Sequence, residues 1–292
     1  MYDICCVGHL TLDRIITPGT ETHMAGGTSF YFSCAIRQMD LSYVLVTALA
    51  AAEMQFVTTL REQGITVKAF PSRHTVYFEN IYGPGLDQRT QRVLQEADPF
   101  TVSQLDGIEA HIFHLGPLLS GDISPELVRY LAGKGKVAID VQGYLRSVSR
   151  QQVCPVSWPE KKEVLQYAAI VKADEAELEV LTGCASLYDG AAMLADWGVA
   201  EVVITRAGRG SVIYAGGKFY EIPAFPPKAE VDATGCGDTY MAGYLSRRAK
   251  NCDIMQSGVF GAAMASLKME FSGPFTGTEK EILQVLQQHG YQ

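Results

Sequence analysis

The 292-residue chain has no apolar run long enough to cross a bilayer. Its longest, around Val44 to Ala52, falls far short of the ~20 residues a spanning helix needs. It has no block of five like charges, and 24 Lys plus Arg against 32 Asp plus Glu give a net charge of −8. Binding to nucleic acid or to an anionic membrane is therefore not expected. The N-terminus carries Asp3 and no basic stretch, so no secretory signal is expected. No Cys-x-x-Cys pair occurs among the 7 cysteines, and their number is odd. Cys5, Cys6 and Cys34 lie inside apolar runs. They read as buried free thiols of a cytoplasmic protein, not as a disulfide framework or a zinc cluster. The P-loop pattern Gly-x-x-x-x-Gly-Lys-Ser/Thr is also missing, which excludes that nucleotide chemistry. Internal repeats and low-complexity segments are absent.

What is present is an ordinary globular composition, 47% hydrophobic and 19% charged, in a chain long enough for a large core. Short apolar runs recur at Asp3 to Gly8, Tyr43 to Thr47, His111 to Gly116, Val137 to Val141, Ala169 to Lys172 and Val202 to Thr205. Such runs fit strands buried on both faces. Helical patterns alternate with them. Glu53 to Gln63 stops at Gly64, Ser124 to Ala132 begins with a Ser-Pro start, and Asp174 to Thr182 stops at Gly183. Gly237 to Arg248, Asp253 to Glu270 and Thr278 to Gln288 follow. The expected fold class is α/β, with a doubly wound, mostly parallel sheet flanked by helices. Leu12 to Met24 and His74 to Tyr82 break the alternation, the second ending in a turn at Gly83-Pro84-Gly85. They are expected to form a small antiparallel sheet projecting from the main domain, from segments of about 12–25 and 72–95, either as a lid that excludes water from the crevice or as edge hairpins without function. The remainder of 1–292 is expected to be one domain.

The most informative segment is Val231-Asp-Ala-Thr-Gly-Cys-Gly-Asp238. Two glycines are unfavourable where a helix starts, unless the backbone must come close to something. Free N–H groups at a helix N-terminus bind anions. Asp238, in the first turn, is placed to take a proton from a hydroxyl held beside a bound phosphate.

Asp232-Ala-Thr-Gly-Cys-Gly-Asp238 resembles the second signature of the ribokinase-like (PfkB) carbohydrate kinases, and the resemblance runs along nearly the whole chain. Gly8-His-Leu-Thr-Leu-Asp13 is similar to the family's first strand with its substrate-contacting Asp. Gly26-Gly27 matches its paired glycines, and Asp174-Glu-Ala-Glu177 its Asn-x-x-Glu. Thr205-Arg-Ala-Gly-Arg-Gly210 falls on its nucleotide strand and turn, and the lid segments fall on its lid. The resemblance implies an ATP-dependent kinase for a small sugar or polyol, with Mg²⁺ and, as a further candidate, a monovalent cation. It implies Asp238 as catalytic base and the N–H groups of Gly235, Cys236 and Gly237 as the anion hole. Asp13, Gly26, Gly27 and Tyr31 would bind substrate. Thr205, Gly208, Gly210, Asp232, Thr234 and Ala262 would bind nucleotide, and Asp174 and Glu177 the metal. A monomer or a lid-mediated homodimer is implied.

The departures are Asp174 for Asn, Ala207 for Gly, Ala262 for Asn, and Phe30-Tyr31 where sugar-binding members carry an Asn. Thr75 to Glu79, Gln91 to Val93, Asp98-Pro99 and Ile139 to Arg146 resemble the plant-type myo-inositol kinase subgroup. Inositol-like acceptors are therefore ranked first. A non-catalytic sugar or nucleotide sensor is the alternative. His111 and His114 lie three apart in a strand and so point to opposite faces, which argues against a metal pair. Arg206 and Arg209 flank the nucleotide turn, as phosphate contacts or as plain surface arginines. Asp140 ends a central strand, where it would orient a metal-bound water or cap the next turn.

Overall fold

The computed structural model describes residues 1–82 and 89–291. The turn expected at Gly83-Pro84-Gly85 lies outside them. The strands are β1 (Tyr2–Val7), β2 (Thr11–Ile16), β3 (Glu21–Gly26), β4 (Tyr43–Leu49), β5 (Thr66–Pro71), β6 (Val76–Tyr82), β7 (Arg89–Gln95), β8 (Ala110–Leu115), β9 (Lys136–Asp140), β10 (Arg146–Ser149), β11 (Gln152–Pro155), β12 (Ala168–Asp174), β13 (Glu201–Thr205), β14 (Ser211–Ala215) and β15 (Lys218–Ile222). The helices are α1 (Thr28–Ile36), α2 (Met54–Glu62), α3 (Pro125–Ala132), α4 (Lys161–Leu165), α5 (Glu175–Thr182), α6 (Leu187–Asp196), α7 (Cys236–Ala249), α8 (Ile254–Met269) and α9 (Glu279–Gln288).

Nine strands form one sheet in the order β15-β14-β13-β12-β9-β8-β1-β4-β5. From β13 to β5 every pairing is parallel, and β14 and β15 add an antiparallel edge. The apolar runs are its central strands, because their side chains alternate into two separate cores. Ile4, Cys6, Leu45 and Ile112 pack on one face with Phe32 of α1, Met241 and Tyr244 of α7 and Phe260 of α8. Cys5, Val7, Val44 and Phe113 pack on the other with Leu127 of α3, Leu178 of α5 and Leu194 of α6. The adjacent thiols of Cys5 and Cys6 thus serve opposite cores as small apolar side chains. All 7 cysteines are free, and among the described residues no helix is long and apolar enough to cross a membrane.

The two segments that break the alternation join a second sheet of six strands, β10-β11-β7-β6-β2-β3. It differs from the antiparallel expectation in one pairing. β2 and β6 run parallel, with Asp13 beside Phe78. Each follows a strand of the main sheet after a very short connection, so both leave that sheet in the same direction. Two further strands, β10 and β11, extend the second sheet. They carry no alternating apolar pattern, which is why the sequence does not announce them.

Candidate active site

A cavity of about 710 Å³ lies over the C-terminal ends of β9, β12 and β13, beneath the second sheet. Open parallel sheets expose their ligand crevice at this edge. Asp13, Phe78, Gln91 and Arg146 reach it from the second sheet, and Asp140, Lys172, Asp174 and Thr205 from the main one. The first turns of α1 and α7 also line it. Gly27, Thr28 and Tyr31 come from α1, and Gly235 to Asp238 from α7.

Gly235 caps α7 with a left-handed backbone, φ 76°. Only glycine takes that conformation at little cost. The turn before it is pinned by Asp232, which accepts the Thr234 N–H at 2.9 Å. The Cys236 N–H donates to the Ala233 carbonyl at 3.1 Å. This corrects the expected anion hole, because that donor is already used. The N–H groups of Gly235, Gly237 and Asp238 have no protein acceptor among the described residues. Three donors at the positive end of a helix make an anion site.

Asp238 stands beside them with its carboxyl pushed up to about 7. Burial is the main cause and the negative charge of Asp140 adds to it, while Lys172 and a hydrogen bond from Thr28 pull the other way. A carboxylate that titrates near neutrality suits proton abstraction.

Lys172 is the residue that sequence reasoning passed over. Its Nζ lies 3.0 Å from Asp140 Oδ2 and 3.8 Å from Glu177 Oε2. Burial works against the ammonium, but the two carboxylates more than offset it and hold it charged. The available signal was a lysine inside the otherwise apolar run of β12. The same contacts explain Asp140, which also accepts the Gln142 N–H at 3.1 Å.

Asp174 and Glu177 form a reciprocal cap on α5. Asp174 accepts the Glu177 N–H at 2.7 Å, and Glu177 accepts the Asp174 N–H at 2.8 Å. Gln142 Nε2 donates to the other oxygen of Glu177 at 3.1 Å. Asp174 lines the cavity, whereas Glu177 stands behind it. No cluster of three or more metal-ligating side chains exists among the described residues. Asp140 and Asp174 nevertheless offer hard oxygens to the cavity. That fits a Mg²⁺ ion that arrives with phosphates, which commonly needs only one or two protein carboxylates.

The remaining expected residues divide between the wall and its support. Asp13, Gly27, Tyr31, Thr205, Gly208, Gly210, Thr234 and Ala262 line the cavity. Gly26 and Asp232 do not. Gly26 packs against the Asp13 carboxylate, leaving no room there for a β-carbon. Phe30 packs on the core, so Tyr31 alone of that aromatic pair meets the cavity. Arg206 and Arg209 pair with Glu221 and Glu175 and do not line the wall. His111 is exposed, whereas His114 is buried and its ring is driven down to about 4 by that burial.

Comparison with known proteins bears on the family and the fold. The sequence profile described as pfkB family carbohydrate kinase matches residues 117–281. A cytidine kinase of Thermococcus kodakarensis is 28% identical over 262 residues, covering 84% of this chain and 88% of that protein. A pyrophosphate-dependent kinase in the ribokinase family, solved with a pyrophosphate analog and myo-inositol, superposes with a TM-score of 0.86. It is 28% identical, and the match covers 96% of this chain and 99% of that one. The ribokinase of Arabidopsis thaliana, solved with ribose and ATP, shares the fold at a TM-score of 0.81 and 20% identity, covering 98% and 99% of the two chains.

Proposed function

The chain belongs to the pfkB family of carbohydrate kinases and is a phosphotransferase, and we propose that it phosphorylates a hydroxyl of a small cyclic polyol with ATP as donor. The observation that carries this reading is the position of Asp238. It faces one cavity that has free helix N–H groups on one side and the Asp13 carboxylate on the other.

In this reading Asp13 accepts hydrogen bonds from two neighbouring hydroxyls of the acceptor. Tyr31, Phe78 and Leu118 present an apolar wall to the C–H face of its ring. Asp238 removes the proton of the attacking hydroxyl while that oxygen bonds to phosphorus and the bond to the leaving diphosphate breaks. The N–H groups of Gly235, Gly237 and Asp238 meet the transferred phosphoryl oxygens, and Lys172 adds a fixed positive charge nearby. Mg²⁺ would be held through Asp140 and Asp174, where it would neutralise phosphate charge. Catalysis of this kind is chiefly positioning and charge neutralisation.

For the donor, ATP is favoured over pyrophosphate by the far end of the cavity. Ala224, Phe225, Pro227, Ala262, Ala265 and Met269 form an apolar slot beyond the phosphate site. An adenine ring would fill it and pyrophosphate would leave it empty. A nucleoside acceptor is the second reading, favoured by the kinship with a cytidine kinase. Its base would lie on the same Tyr31–Phe78 wall. A panel of myo-inositol, ribose, fructose and cytidine, each with ATP and with pyrophosphate, tests the assignment. Turnover of myo-inositol with ATP is expected. Brisk turnover of cytidine without any of myo-inositol would replace the acceptor, and activity with pyrophosphate alone would replace the donor.

A further inference from the structure

The loop that leads into α7 is gripped from behind by the end of α8. The N–H groups of Val231 and Asp232 both donate to the Met269 carbonyl, at 2.9 and 3.2 Å. Next to that carbonyl, in the last turn of α8, the Lys268 side chain is completely shielded from solvent. Its Nζ donates to the Asp232 carbonyl at 2.8 Å and to the Phe271 carbonyl at 3.4 Å. It lies 3.3 Å from Asp232 Oδ2. An ammonium has three N–H donors and no acceptor, and here three oxygens meet it. Such a group is costly to bury unless oxygens replace its water.

The arrangement does more than satisfy a buried charge. Asp232 also accepts the Thr234 N–H of the loop itself at 2.9 Å and the Gly273 N–H, from the segment after α8, at 3.3 Å. Gly235, the cap of α7, follows three residues after Asp232. A displaced Asp232 would therefore carry the phosphate-binding N–H groups with it. Carbonyl oxygens set around a desolvated charge are also the donors that replace the hydration shell of K⁺.

We propose that Lys268 is a positioning residue, a covalently tethered monovalent cation that fixes residues 231–235, so that the chain needs no free monovalent cation to order its donor site. This rests on the donor site proposed above only for its activity readout. Lys268 lies outside the cavity and acts through Asp232.

The test compares the wild-type chain, Lys268→Ala and Lys268→Met in tetramethylammonium, potassium and ammonium chloride. It reads amide hydrogen exchange over residues 231–237 and the KM for ATP. The wild type is expected to give the same values in all three salts. In tetramethylammonium the Ala variant should exchange faster in this segment, with KM raised about tenfold or more. Potassium or ammonium should restore both, because either ion fits the vacated oxygen cage. The Met variant, which fills that space without charge, should not be restored. Loop protection in the wild type that improves with potassium overturns the proposal, as does an Ala variant indistinguishable from the wild type. Should the variants fail to fold, the salt series on the wild type decides alone. A wild type that phosphorylates no acceptor counts against the acceptor reading, and the exchange data still decide this one.

Discussion

The ring of Tyr31 occupies the space that a β-carbon on Gly235 would need. Tyr31 of α1 and Gly235, the cap of α7, thereby form a shared wall of the cavity. The two glycines of the turn are consequently not equivalent. A β-carbon on Gly237 would meet only the end of the Lys172 side chain, Nζ at 3.5 Å and Cε at 3.7 Å, both ordinary contacts. Gly235→Ala should lower both the melting temperature and the affinity for ATP, through the ring and through a left-handed backbone that costs a non-glycine residue about 1–2 kcal/mol. Gly237→Ala should fold like the wild type. Thermal melts and nucleotide titrations compare them, and a Gly235→Ala chain that binds ATP normally would remove the wall from the donor site.

Asp238 predicts two pH effects. Transfer should rise as pH increases through about 7, where the carboxyl ionises. Asp238→Asn should be slower by about 10² to 10⁴ at pH 8, since an amide keeps the shape but takes no proton. Stability runs the opposite way. The folded carboxyl titrates above its ordinary value of 3.8, so its favourable contribution is complete below that value and is lost as pH rises through about 7. Asp238→Asn should therefore gain melting temperature over the wild type progressively between about pH 4 and 7 and hold that gain above it. A difference that stays flat across this range would mean that the carboxyl is not the titrating group.

Lys172→Met leaves Asp140 and Glu177 without their cation. Truncating one partner of a buried ion pair costs about 3–5 kcal/mol, read as a lower denaturation midpoint. The positive charge of Lys172 also holds the Asp238 carboxyl down. In folded Lys172→Met, the rise of kcat/KM with pH should move to higher pH. An unmoved profile would confine Lys172 to a structural role.

Gly26→Ala tests the proposed acceptor end from a residue that does not itself line the cavity. Its methyl group would push the Asp13 carboxylate aside. Thr11 Oγ1, which donates to Asp13 Oδ1 at 2.6 Å, would lose its partner's position as well. The KM for the acceptor should rise while that for ATP stays near the wild-type value, as expected also for Asp13→Ala. An equal rise in both constants would show a general loss of structure instead.

The parallel sheet was legible because its strands are continuous apolar runs, and α3, α5 and α8 because their caps are explicit. Ser124 accepts the Leu127 N–H, and Asp174 and Asp253 each close a reciprocal box. Helix α1 has no amphipathic pattern to read, since almost all of its residues are buried. The Asp238 motif was legible because its glycines stand where a helix would not choose them. Ala207 shows how a departure in sequence can hide a retained conformation. It stands where the family has a glycine and still adopts a left-handed backbone, φ 49°. The contacts of Lys172 and Lys268 could not be read at all. Their partners lie in other elements, so although Lys172 interrupts an apolar run, the oxygens around either lysine cannot be named until the fold is placed.

The order of the nine-stranded sheet also has a consequence for the newborn chain. β1 is made before both of its neighbours, yet it lies well inside the sheet, with Ile4 opposite Tyr43 on one side and Ile112 on the other. Its apolar residues must wait for β4 and, much longer, for β8. Parallel pairings between distant segments form slowly, and apolar strands exposed in the meantime are prone to aggregate. The interval between the synthesis of β1 and that of β8 is therefore a vulnerable period for this protein, and its yield should depend on chaperone supply during it.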